Sequence, residues 1–177
     1  MAKAIQLDYS ALGNEVISIP LSQGKFAAVD KDEYGKVRKW KWYFNKGYAV
    51  RNEGNWRKEE RKTVRMHRTI MDCPVGKEVD HIDGNGLNNT KKNLRICSRN
   101  ENCHNREKYK TNKSGFKGVY WESGKKKWKA QATFNNRRIN LGRYPEKISA
   151  ARAYDLFAMN HFGQFARLNL PYIRGGE

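Results

Sequence analysis

The cleanest periodicity in the chain lies towards its end, where Trp128, Ala130, Ala132 and Phe134 alternate with Lys129, Gln131, Thr133 and Asn135. A period of two marks a strand with one apolar and one polar face. Asn135-Asn136 supplies a tight turn, and beyond it Ile139 and Leu141 alternate with Arg138 and Asn140, so the two segments are read as a hairpin. Gly115 to Trp121 adds a third antiparallel strand. From Glu146 to Phe162 the period changes: Ile148, Ala151, Tyr154 and Ala158 recur at helical spacing, and Gly163 stands just past the end. This helix is expected to cover the apolar face of the sheet and leave the polar, basic face open.

The central stretch has a different grammar. Glu78 to Ile82 has strand character and stops at Asp83-Gly84-Asn85-Gly86, a run too polar and too glycine-rich for helix. Leu94 to Cys97 alternates as a second strand, and Ser98 with Glu101 forms an S-x-x-E capping box that starts a helix through Arg106. The predicted order is strand, loop, strand, helix. Ahead of it, Met66 to Met71 is read as a short helix before the Pro74-Val75-Gly76 turn. Residues 1 to about 66 hold strand-like pieces, ISIPL and KFAAVD, with turns at Gln23-Gly24 and Lys46-Gly47. Asp30 and Glu33 are expected to cap a short helix through Tyr34 and Val37 to Trp40, and Trp40, Trp42, Tyr43, Phe44 and Tyr48 are read as core bulk. Arg38, Lys39, Lys41, Lys46, Arg51, Arg57, Lys58, Arg61 and Lys62, interleaved with them, leave a positive face.

Composition turns this pattern towards a polyanion. The 177 residues carry a net charge of +18, with 38% hydrophobic and 12% aromatic residues, a pI near 10.0 and a mean hydropathy of -0.96. So many aromatics argue for folded modules rather than a disordered basic tail. Lysine and arginine bind phosphodiester backbones through counterion release, and no amphipathic helix of the membrane-surface kind is found. Charge of this kind is shared by ribosomal and chromatin proteins, so it implies nucleic acid and no catalysis. The amino terminus, MAKAIQLDYS, has no apolar h-region and no stretch approaches bilayer length, so a cytoplasmic protein with no membrane partner is expected. Cys73, Cys97 and Cys103 form no CxxC pair and suggest no disulfide framework; they are read as incidental or buried thiols in preference to a metal set of Cys97, Cys103 and His104.

The central stretch holds the parts for phosphodiester hydrolysis, which needs a base, charge stabilisation at phosphate and help for the leaving oxygen. His81 has the pKa range of a base at neutral pH. Asp80, next to it on a strand, points the other way and is placed to hold a cation, to which Asn102 would add an amide oxygen. Two oxygen ligands with water and phosphate completing the shell suit Mg2+ or Mn2+. Asn93 is expected at the far ring nitrogen of His81, fixing its tautomer.

The residues VDHIDGNGLNNTKKNLRICSRNENCHNR resemble the HNH homing endonucleases of phages and group I introns, in the variant whose last histidine is replaced by asparagine. HRTIM, with His67, is similar to the segment that precedes this motif in phage proteins of that type. The resemblance implies a strand pair and helix clasping one divalent metal, with catalytic roles for His81 and Asn93 and metal roles for Asp80 and Asn102. Where the family keeps a histidine last, it can bind zinc or nickel; His104 lies two residues past Asn102, so the helix register decides which of the two reaches the metal, and Asn102 is the preferred reading.

The segment from Ser114 to Pro171 resembles the AP2 DNA-binding domain of plant transcription factors, through Gly118-Val119, Trp128, Leu141-Gly142, Ala150 to Asp155 and Asn169-Leu170-Pro171. That resemblance implies a sheet lying in the major groove of double-stranded DNA, with contacts from Lys117, Tyr120, Gln131, Thr133, Arg138 and Asn140. Where the plant family has arginine and tryptophan, this chain has Tyr120, Thr133 and Asn140, so plant target sequences do not transfer. The expectation is an α+β chain: an HNH nuclease domain with a β-rich support region over residues 1–105, a basic linker over 106–113, and a three-stranded sheet with one packed helix over 114–173. Such a chain would act on DNA as a monomeric, site-specific nickase. The alternative is a catalytically idle regulator that uses its sheet.

Overall fold

The computed structural model describes residues 15–54, 62–106 and 111–171. Arg57, Lys58, Arg61 and part of the expected linker lie outside the described residues. The architecture is α+β, built from small antiparallel sheets and few helices. By packing, the chain divides into two units, Met1–Arg99 and Asn100–Glu177.

In the first unit, β1 (Val16–Pro20) and β2 (Phe26–Asp30) form a hairpin. Its turn uses Gln23 and Gly24 at φ 62° and 61°. A 3-10 turn and α1 (Tyr34–Val37) follow. Asp30 and Glu33 do not cap this helix as expected: Asp30 accepts from the Lys91 backbone N–H at 2.6 Å, and Glu33 pairs with Lys36 and Lys91 at 3.1 and 2.5 Å. Lys91 of the central loop thus engages both carboxylates, Asp30 through its backbone N–H and Glu33 through its amine. A meander of β3 (Tyr43–Asn45), β4 (Tyr48–Glu53) and β5 (Lys62–Arg65) comes next, then α2 (Met66–Ile70) and the antiparallel pair β6 (Glu78–His81) and β7 (Leu94–Cys97).

The core of this unit gathers one or two apolar residues from each piece, among them Val29, Val37, Trp42, Met66, Ile70 and Val79. Met66 and Ile70 are at 0% and 1% exposure, and each contributes about 2 kcal/mol by burial. Trp42 also donates from its indole nitrogen to Val37 O at 2.9 Å. Trp40 departs from the expected core role. It is 42% exposed, with the Arg51 guanidinium 4.1 Å from its ring centroid, whereas Trp42 is 3% exposed.

α3 (Arg99–Asn105) begins at the last residue of the first unit, and the second unit holds the rest of it with β8 (Val119–Glu122), β9 (Lys127–Phe134), β10 (Arg137–Tyr144) and α4 (Lys147–Phe162). Strand order is β10-β9-β8. Asn135 and Asn136 turn the β9–β10 hairpin at φ 48° and 59°, as the alternation requires. Ala130, Ala150, Ala151 and Ala158 are fully buried, and these small side chains let α4 lie close on the sheet. Ile148 is 39% exposed instead of facing the sheet; the covered stripe runs through Ala150, Ala151, Tyr154, Ala158 and Phe162. A Cβ on Gly118 would lie 2.2 Å from the Tyr154 ring and 2.5 Å from Gln131 O, at φ +72°, which only glycine satisfies. Asp155, buried, accepts from the backbone N–H groups of Asn169 and Leu170 at 2.8 and 2.9 Å and so ties down the chain after α4. No helix among the described residues is long and apolar enough to cross a membrane.

Candidate active site

Pairing sets the site. In β6–β7 Asp80 lies opposite Arg95 and His81 opposite Leu94, and strand alternation sends the two neighbouring side chains to opposite faces. Asp80 and His81 are both buried, at 5% exposure each. Asp80 Oδ2 accepts from Arg95 Nε at 2.9 Å and Nη2 at 2.6 Å. Arg95 was not singled out in the sequence; its place two residues after Asn93 on an alternating strand is the signal that could have found it.

His81 faces the interior with two other rings. The His67 ring lies edge-on at 4.8 Å between centroids and 88° between planes, and Tyr48 is tilted at 5.9 Å and 47°. Burial is the main reason the His81 imidazole titrates below its ordinary value of 6.5; its hydrogen bond to Asn89 Oδ1 and the charges of Asp83 and Asp80 partly oppose it. His67 is driven further, to about 3, by burial first and then by the positive charges of His81, Arg65 and Arg68. Its Nδ1 is buried without a hydrogen-bond partner. Both rings are neutral at pH 7, and a neutral His81 is what a base requires.

The loop after His81 is held by side-chain amides. Asn93 does not reach the imidazole, contrary to the expectation from spacing. Its Oδ1 accepts from Asp83 N at 3.0 Å, and its Nδ2 donates to Asp83 Oδ1 at 2.9 Å and Asn88 O at 2.8 Å. Asn93 O accepts from Ile82 N at 2.9 Å, so Asn93 holds the residue that follows His81. Asn89 is the residue at the ring, with Oδ1 3.3 Å from Nε2. The difference is a matter of chain path: the loop folds back so that residue 89, eight along from His81, meets the ring, while residue 93 closes the base of the loop. Gly86 lies flat on the β3–β4 turn, where a Cβ would come within 2.4 Å of Gly47 O and 2.6 Å of the Tyr48 ring.

Asn102 lies on α3, half-buried, in the second unit. His104 is committed elsewhere, its ring stacked on Phe162 at 3.8 Å and 8°. The donors that the sequence reading expects at a metal, Asp80 and Asn102, are one carboxylate and one amide, hard oxygens of the kind that suit a hydrated Mg2+ or Mn2+. Among the described residues no three or more His, Cys, Asp or Glu side chains form a metal-binding cluster. Cys73, Cys97 and Cys103 are free thiols.

On the sheet of the second unit, Arg138 pairs with Thr133 and Asn140 with Gln131 across β9–β10, which puts four of the six expected contact residues on one surface. Thr133, Arg138 and Asn140 are exposed, and Tyr120 donates to Gln131 Oε1 at 3.2 Å. A groove of about 1040 Å³ runs past Tyr120, Gln131 and Thr133, with Asn100, Cys103 and Asn112 among its other lining residues. Lys117 is the exception. Its amine donates to His104 O at 2.6 Å and Arg106 O at 2.8 Å, and burial, chiefly, pulls its pKa to about 8. The carbonyls at the end of α3 attract a cation, as helix carboxyl ends do, and this lysine is used there rather than held out to a phosphate.

Comparison with known proteins gives a consistent result. A family model described as HNH endonuclease matches residues 72–104. A protein of Acanthamoeba polyphaga mimivirus, named an uncharacterized HNH endonuclease, is 32% identical over 171 residues, covering 92% of this chain and 85% of the relative. Protein 3.8 of Escherichia phage T7 is 33% identical over 111 residues, 60% of this chain and 91% of the relative. An AP2-like ethylene-responsive transcription factor of Arabidopsis thaliana is 43% identical over 47 residues, 27% of this chain and 16% of the relative. No solved structure matches the chain significantly.

Proposed function

The chain belongs to the HNH endonuclease family and is a nuclease, and from that premise we propose that it is a divalent-metal-dependent, site-specific DNA endonuclease of the homing type that nicks one strand as a monomer. The observation that carries the reading is His81: a neutral imidazole, 5% exposed, on the same short strand as Asp80. In this role His81 takes a proton from the water that attacks phosphorus as the 3' oxygen departs. Asn93 serves by bracing the loop that leaves His81. Asp80 and Asn102 would hold Mg2+ or Mn2+, which when bound neutralises charge on the phosphate and the leaving oxygen.

The second unit acts in this proposal as an AP2-like DNA-binding module. Tyr120, Gln131, Thr133, Arg138 and Asn140 face the duplex, and Arg138 has the fork geometry to read a guanine. The partial likeness to the plant factor and the open polar sheet face support it. Lys125, Lys126 and Lys127, all exposed at the β8–β9 turn, hold phosphates.

The test incubates supercoiled plasmid carrying the protein's own flanking locus with Mg2+ or Mn2+, comparing wild type with His81→Ala. Nicking by wild type, and a loss of about 10²- to 10⁴-fold in the variant with DNA binding kept, is expected. One observation favours a second reading. The Arg95 guanidinium already occupies Asp80 Oδ2, as it would in an idle regulator that binds DNA without cutting. Absence of cutting by wild type on that plasmid, with tight binding retained, would establish the regulator and remove the enzyme reading.

A further inference from the structure

A neutral imidazole can take a proton only at the nitrogen that carries none, and the partner of the other nitrogen selects which one that is. At His81 the Nε2 atom faces Asn89 Oδ1 at 3.3 Å. The orientation of that amide is settled at its far end, where Nδ2 donates to Leu87 O at 3.1 Å. A backbone carbonyl only accepts, so the NH2 group belongs against Leu87 and the oxygen against the ring. Asn89 is 0% exposed, so water does not compete for either end. Its backbone is tied as well: Asn89 N donates to Ala28 O and Ala28 N to Leu87 O, both at 2.8 Å. The β1–β2 hairpin thereby fixes where the Asn89 amide stands.

We propose that Asn89 is the positioning residue of His81: its Oδ1 accepts the Nε2 hydrogen, holds the ring in the Nε2–H tautomer, and leaves the lone pair on Nδ1 as the atom that receives the proton from water. The proposal rests on His81 being the base and specifies which atom does the work. A ring turned over by 180° about its Cβ–Cγ bond would set a C–H group against Asn89 Oδ1 and bury an unanswered acceptor, which costs about 1 to 3 kcal/mol. His67, edge-on to the ring, and Tyr48 beside it restrict the tilt that such a turn would need. The two contributions are separate. The rings confine the plane, and the amide distinguishes the nitrogens.

The experiment has two arms. Nitrogen-15 labelling of histidine and long-range proton–nitrogen NMR on the metal-free full chain at neutral pH read the tautomer directly. His81 is expected with its hydrogen on Nε2 in wild type, and in both forms in Asn89→Leu. Asn89→Asp, which keeps an acceptor, retains the Nε2–H form. In the plasmid assay Asn89→Leu lowers kcat about 10²-fold with KM unchanged, and Asn89→Asp recovers part of that loss. A wild-type ring protonated on Nδ1, or wild-type kcat in a folded Asn89→Leu protein, overturns the proposal; if Asn89→Leu does not fold, the wild-type spectrum decides. Cutting by His81→Ala at the wild-type rate would overturn the base reading itself, whereas an Nδ1–H tautomer with an inactive His81→Ala overturns only the role of Asn89.

Discussion

Asp80 and Arg95 stand directly opposite each other on β6 and β7, with Nε and Nη2 of the guanidinium at 2.9 and 2.6 Å from the same carboxylate oxygen. Both side chains are largely buried, at 6% and 13% exposure. A carboxylate in such a place needs a cation, and the register of two four-residue strands supplies one.

Removing Arg95 therefore leaves a buried negative charge without its guanidinium. Arg95→Ala is expected to destabilise the metal-free protein by about 3 kcal/mol in urea unfolding, the usual scale for breaking a buried pair from one side. Added Mg2+ should restore more stability to this variant than to wild type, because an ion that binds only the folded state stabilises it by mass action. Equal responses to Mg2+ in the two proteins would count against Asp80 as a ligand.

His67 makes stability depend on pH. Its folded-state pKa of about 3 lies below the ordinary 6.5, so between these values the unfolded chain binds a proton that the folded chain refuses. Stability from this group is complete above pH 6.5 and falls as the pH drops towards 3, by up to about 1.4 kcal/mol per unit. His67→Phe keeps a ring of similar size, removes the unpaired Nδ1 and should flatten that acid slope. Unfolding midpoints measured from neutrality into the acid range decide it; identical slopes would contradict the assignment.

Gly86 reads as a tolerance point for the loop. A Cβ there meets a backbone oxygen at 2.4 Å, which cannot swing away as a flexible side chain would. Gly86→Ala should cost about 1 to 3 kcal/mol and reduce plasmid cutting by more than that loss of folded protein explains, since the loop carries Asn89 and Asn93. A variant as stable and active as wild type would show that the loop rides free of Gly47 and Tyr48.

Lys117 and Arg138 separate structure from DNA contact. Lys117→Met should lower the unfolding midpoint while leaving the salt slope of DNA binding unchanged, because its amine is spent on two carbonyls. A phosphate-holding lysine would instead reduce that slope by about one. Arg138→Ala should weaken DNA binding without a change in melting temperature. Titrations of labelled duplex at several salt concentrations, with thermal melts of each variant, give both quantities.

Secondary structure was legible wherever pattern and turn chemistry agree. The Asn135-Asn136 hairpin, the strands at Glu78–His81 and Leu94–Cys97, and the helix beginning at Arg99 stand where alternation and the Ser98 to Glu101 signal put them. Failures came where a side chain had a distant choice. Asp30 and Glu33 fit a local cap, yet Lys91, about sixty residues away, takes both. Lys117 fits a DNA contact by resemblance, yet the end of α3 takes its amine. Ile148 fits the helical stripe by spacing, but the packed face is set by which residues meet Ala130 and Ala132.

By itself the sequence determined the local elements, the basic character, and the presence of Asp80, His81, Asn93 and Asn102 in a spacing that identifies the family, because these depend on neighbours along the chain. Only the tertiary structure decided that Arg95 neutralises Asp80, that His67 and Tyr48 wall in His81, and that Asn89 rather than Asn93 touches its ring. Those contacts follow from strand register, from the path of a loop, and from a hairpin some sixty residues upstream that pins it. Period and spacing carry no record of such distances, and burial turns them into the charge state and orientation of the His81 imidazole.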